Sequence, residues 1–170
     1  DAAQPKDSAR VFRLDGDRLE ICLDMKGKSR PAKFGTSKGS SRAYEILNRA
    51  SGSRPESVTG GTATAPQTPQ TAAPAEDASA FAFVESPTLT KLQGKWKPVK
   101  IVRDGQELPG MMLFAGARSA TKNEVKISFA GQTMIHALVR LDEGGDPMHV
   151  DYYSLDPACK GAIQYGIMKW

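Results

Sequence analysis

Hydrophobic and polar positions alternate along two stretches of this chain, and a third stretch between them has no periodicity. In residues 18–24, Leu19, Ile21 and Leu23 take one face, and Arg18, Glu20 and Asp24 take the other. Period two over a short run marks a half-buried strand. Val11-Phe12-Arg13-Leu14 runs into it through Asp15-Gly16-Asp17, an Asp-Gly hairpin signal. Residues 27–39 read as loop and 43–49 as a further strand. The second stretch predicts strands over 95–103, 123–129, 133–141, 148–155 and 161–170. Val125, Ile127 and Phe129 share a face, and Met148, Val150 and Tyr152 lie opposite His149, Asp151 and Tyr153. Turn residues separate these runs at Asp104-Gly105, Ala130-Gly131 and 142–147. No segment holds a helical period for more than about two turns. Short strands with regular turn signals predict an all-β antiparallel barrel or sandwich.

Residues 1–9 are polar and read as a disordered lead. Residues 50–88 are rich in Thr, Ala, Pro, Gly and Ser, so they bury too little apolar surface to offset their ordering entropy. They read as a flexible linker of a kind common outside the cytoplasm, which places the protein in the periplasm or secreted space. Phe81-Ala82-Phe83-Val84 is its one apolar element and is expected to dock. The ordered parts are then 10–49 and 89–170. At 170 residues, with 39% hydrophobic content, the chain has room for one packed domain plus the linker. No apolar run approaches the roughly 20 residues that span a bilayer, so no membrane insertion is expected. The first residues lack a secretory leader pattern, as a processed chain also would.

The net charge of +4 is concentrated locally. Lys26, Lys28, Arg30, Lys33, Lys38 and Arg42 follow one another without an acid between them. Only Phe34 among them offers a stacking ring, so the run reads as a solvated loop and not as a nucleic-acid surface. Cys22 and Cys159 are too few for a disulfide framework and lack zinc spacing. Two separate thiols and one disulfide both remain open. His149 and Asp151 share a strand face near Glu143 and Asp146, but no complete ligand set follows and no metal is expected. Residues 35–41 have phosphate-loop composition without a following helix. No nucleophile motif is present, so the chain is read as a non-enzyme with no catalytic residue and no cofactor. Inward candidates at period two are Phe129, Met148, Val150, Tyr152 and Tyr165, which line either a core or a ligand space. Ile163 and Ile167 belong to the same inward reading.

Two sets of motifs resemble one family. Leu92-Gln93-Gly94-Lys95-Trp96 and Asp104-Gly105-Gln106-Glu107-Leu108-Pro109 are similar to its opening. Leu14-Asp15-Gly16-Asp17-Arg18-Leu19-Glu20-Ile21-Cys22-Leu23 and Gly27-Lys28-Ser29-Arg30-Pro31-Ala32-Lys33-Phe34 are similar to its second half. The family is the short lipocalin-like domain of planctomycete-type bacterial proteins, which has no assigned activity. The resemblance implies a lipocalin-like, calycin-type barrel of about eight strands. Its halves stand here in reversed order, so the expected fold is a circular permutant. The junction strand occurs twice, as Val11-Phe12-Arg13-Leu14 and as Gly166-Ile167-Met168-Lys169-Trp170, the trace that a slice through a tandem repeat or an ancient duplication trimmed at both ends would leave. A linker of about 38 residues reaches roughly 35 Å, longer than a barrel strand, so one chain has the reach to close its own barrel. A domain-swapped dimer, or pairing with a neighbouring repeat, is the rival. The resemblance also implies that Gly94 and Trp96 close the barrel base with Arg49 over the indole. The function expected is a non-enzymatic binding module for a small apolar or amphipathic ligand. The alternative is a filled barrel serving as a structural or protein-interaction unit in a multidomain repeat protein.

Overall fold

The computed structural model describes residues 17–51 and 78–170. The lead at 1–9, the 11–14 strand and linker residues 52–77 lie outside the described residues. Among the described residues, strands β1 (Arg18–Asp24), β2 (Arg42–Arg49), β3 (Gly94–Arg103), β4 (Gln106–Glu107), β5 (Gly116–Thr121), β6 (Glu124–Phe129), β7 (Gln132–Asp142), β8 (Met148–Ser154) and β9 (Ile163–Lys169) form one sheet. Every pairing is antiparallel, and β2 pairs with β3 to close the sheet on itself. β4 is a two-residue ribbon on the end of β3, so the closed barrel is eight-stranded. The expected all-β antiparallel barrel is what the chain forms.

The two ordered stretches close on each other within one chain. Along β2–β3 the register runs from Ala43 opposite Arg103 to Arg49 opposite Trp96, with a shift between Ile46 and Leu47. Along β1–β9 it runs from Glu20 opposite Lys169 to Leu23 opposite Gly166. Seven of the barrel strands fall on runs that the sequence predicts as strands. The eighth, β5, does not, because its inward positions are Gly116, Arg118 and Ala120. The expected strand at 11–14 falls outside the described residues, and β5 fills the barrel's count.

The core lies toward the Trp96 end. Leu19, Ile21, Leu23, Leu47, Val125, Val139, Val150 and Met168 pack around a fully buried Trp96. A short helix, α1 (Pro87–Leu92), plugs that end. It starts there because Ser86 caps it, its hydroxyl accepting from Leu89 N at 3.1 Å, and Pro87 sits in the first turn, where its missing N–H costs nothing. Leu89 and Leu92 enter the core, and the Trp96 indole N–H donates to Leu92 O at 2.8 Å. Part of the expected linker is therefore ordered. A 3₁₀ turn at Ala78–Phe81 lays Phe81 against the barrel wall, 1% exposed, with its ring 5.3 Å from that of Tyr153.

At the opposite end, the 25–41 loop folds over the β3–β4 turn. Gly105 N donates to Thr36 Oγ1 at 2.8 Å, and Ser41 N donates to Asp104 Oδ1 at 3.0 Å. Gly105 has a positive φ of 82°, and a Cβ there would lie 2.7 Å from Lys38 N. Arg30 leaves the basic run to pin the loop to the barrel wall. It donates to Gly166 O at 2.7 Å and pairs with Asp151 at 2.7 Å. A second short helix, α2 (Gly110–Ala115), packs against β3 and β6.

Candidate functional site

Strand β5 has the composition Gly-Ala-Arg-Ser-Ala-Thr, and alternation turns Gly116, Arg118 and Ala120 inward. Arg118 stands opposite Trp96 on β3 and opposite Ile127 on β6. Beyond the Trp96–Arg118 pair, β3 and β5 no longer pair, and the far end of β3 pairs with β4 instead. Arg118 thus sits inside the barrel at the point where two wall strands separate. It is 1% exposed.

Three polar side chains converge there. Arg118 Nη2 donates to the Tyr152 hydroxyl from β8, and the guanidinium carbon lies 5.4 Å from the Tyr152 ring centroid. Glu45 of β2 places Oε2 3.8 Å from Arg118 Nη1, close enough for an ion pair and too far for a hydrogen bond. Among the described residues, Arg118 Nε and Nη1 have no hydrogen-bond partner. Burial pushes the Glu45 carboxyl above its ordinary 4.5, with Arg118 pulling the other way. Burial likewise pushes the Tyr152 phenol up, against the pull of Arg118, so Tyr152 remains a neutral hydroxyl, a group that can donate as well as accept. An apolar enclosure with a few convergent polar groups is the usual form of a small-molecule recognition site.

The residues expected to line the interior divide between two faces. Tyr152 belongs to the trio. Val150 and Met148 share its inward face, Val150 in the core and Met148 packed against it. Phe129 ends β6, half-buried, opposite Gly116 and Gln132. Tyr165 lies on the outer wall, opposite Asp151, with the Arg30 guanidinium 5.5 Å from its ring. Gly166 takes the inward place, where an added Cβ would meet Leu23 Cδ2 at 2.5 Å and Val150 Cγ1 at 3.1 Å. Ile163 and Ile167 share the outward face with Tyr165. The inward reading of these three is corrected by one position, because the strand's phase is set by a glycine that carries no hydrophobic signal.

The closure residues meet at the barrel base. Gly94 opens β3 at a positive φ of 101°. The Arg49 guanidinium lies 4.2 Å from the Trp96 ring, and it donates to Gln93 O and Lys91 O at 2.6 Å each. It ties the end of β2 to the end of α1 and the start of β3. Asp151, by contrast, is held by Arg30 and Arg140, and His149 pairs with Asp142 at 3.4 Å. Among the described residues, no group of three or more His, Cys, Asp or Glu side chains is placed to hold a metal ion. Cys22 is buried and Cys159 exposed, and both are free thiols.

Arg118 and Glu45 are absent from the sequence-derived site. An arginine between Ala117 and Ser119 breaks the apolar alternation that finds strands. The one available signal was the small-residue period Gly116, Arg118, Ala120, which leaves room around a long side chain. No protein-family model, no curated protein and no solved structure matches the chain.

Proposed function

We propose that this barrel is a non-enzymatic binding module whose interior takes one small amphipathic ligand. The observation that carries the reading is Arg118. Its charge is buried inside an eight-stranded barrel, a size that holds side chains or one small ligand, and two of its donor nitrogens have no hydrogen-bond partner among the described residues. Native proteins rarely bury such donors without a use for them. The extracytoplasmic setting and the permuted order of halves belong to the same proposal. The pairing of β9 with β1 supports the permutation, because it joins residues 163–169 to 18–24, which are adjacent in the order of the resembled domain.

Native mass spectrometry of the chain purified from its own host tests the reading. The expected result is a chain carrying an extra mass of a few hundred daltons. A second reading is favoured by α2, where Met111 is 86% and Phe114 88% exposed on a six-residue helix. Exposed apolar surface of that kind marks interaction sites. A bare chain from the host would move the assignment to this filled, partner-binding barrel.

A further inference from the structure

We infer that the ligand is a monocarboxylate, an amphipathic acid whose head group Arg118 holds and whose tail passes Ile127, Ile135 and Phe129. The inference rests on the interior-binding reading and adds the sign and number of charges. A guanidinium has donors only and stays ionised, so whatever satisfies Nε and Nη1 is an acceptor. In an interior of low dielectric, an anionic acceptor binds such a donor about twice as strongly as a neutral one. Glu45 does not fill this role, since its nearest oxygen stays 3.8 Å from Nη1. Tyr152, already accepting from Nη2, presents a hydroxyl proton to the same group.

The charge count favours one negative charge over two. Among the described residues a single guanidinium faces the site, with Glu45 3.8 Å from it. A phosphomonoester would leave uncompensated negative charge in the barrel, which is costly. A carboxylate is balanced by Arg118 when Glu45 holds its proton, the form its burial favours. The apolar side follows from register. Arg118, Ile127 and Ile135 stand in one row across β5, β6 and β7, and Phe129 is the next inward residue of β6 toward the end where β3 and β5 part. Ile127 and Ile135 are only partly buried against the core. Toward the Trp96 end the packing is closed, so the tail runs the other way.

Isothermal titration of the full chain with n-alkyl carboxylates from hexanoate to dodecanoate, matched 1-alkanols and dodecyltrimethylammonium tests this. The carboxylates are expected to bind at least about thirty-fold more tightly than the alcohols, the minimum for a buried charge left unpaired. Arg118→Met is expected to erase that preference, and Arg118→Lys to restore part of it. Equal binding of acid and alcohol would overturn the acid inference and leave the interior-binding reading standing. Preference for the cation would overturn it in sign and point to Glu45. Binding of none of the three series would overturn the binding reading itself. The comparison of acid with alcohol uses the unaltered chain, so it holds even if Arg118→Met does not fold.

Discussion

Glu45 is the residue through which the site's electrostatics can be read in solution. Its folded pKa stands above its ordinary value, because burial penalises the carboxylate more than Arg118 rewards it. A raised acid favours the protonated form in the fold. Its stabilising contribution is therefore full below the ordinary 4.5 and is lost as pH rises through the folded pKa. Glu45→Gln mimics the protonated form at every pH. The variant is expected to match the parent near pH 4 and to gain on it as pH rises toward 7, read as the difference between their Tm values. A difference that stays constant or reverses across that range would show that ionised Glu45 is the form the fold prefers, held by Arg118. At this scale the sequence was least legible. Tyr152 could be placed by alternation with Met148 and Val150, whereas Arg118 and Glu45 are charged residues in inward slots, where hydrophobic patterning gives no signal. Tyr165 shows the converse failure, since an aromatic at an apparently inward position follows the phase of Gly166 instead.

At the scale of elements, the alternating runs were legible, and the short or small-residue pieces were not. β1, β6, β7 and β8 carry an apolar residue at every second position because one face of each meets the core, β2 and β3 read as strands between turns, and the apolar alternation of β9 lies on its outward face. β5 escaped because Gly116, Arg118 and Ala120 offer no apolar stripe, and α1 and α2 because six residues are too few to show a helical period. The 78–88 part of the expected linker illustrates how composition misleads near a boundary. Its only large apolar side chain that becomes buried is Phe81, and that one contact anchors the 3₁₀ turn. Asn123 Nδ2 donates to Phe81 O at 2.6 Å, and the Arg140 guanidinium lies 4.6 Å from the Phe81 ring. Phe83 and Val84, two and three residues on, remain exposed. Phe81→Ala is expected to lower stability by about 3 kcal/mol, measured by urea denaturation, while Phe83→Ala changes it by under about 0.5 kcal/mol. Equal effects would mean that the turn is not held by Phe81.

The whole molecule depends on two seams that bring residues distant in sequence together. β2–β3 joins the strands on either side of the 52–77 connection, and β1–β9 joins the first described strand to the last. A domain-swapped dimer would keep both seams and exchange the 17–51 hairpin between chains, so the contacts alone do not select between the forms. Concentration does. A tether of the length of 52–77 holds the hairpin near its own seam at an effective concentration on the order of millimolar, far above the protein concentration of an ordinary solution experiment. Intramolecular closure is therefore the form expected by mass action, because swapping gains no contact that closure lacks. Light scattering on the eluting protein is expected to give a single species of 18.3 kDa throughout the micromolar range. A dimer that persists on dilution below micromolar would show that the hairpin seats on a neighbour, and the Arg118 site, which takes Glu45 from β2 and Tyr152 from β8, would then be assembled from two chains.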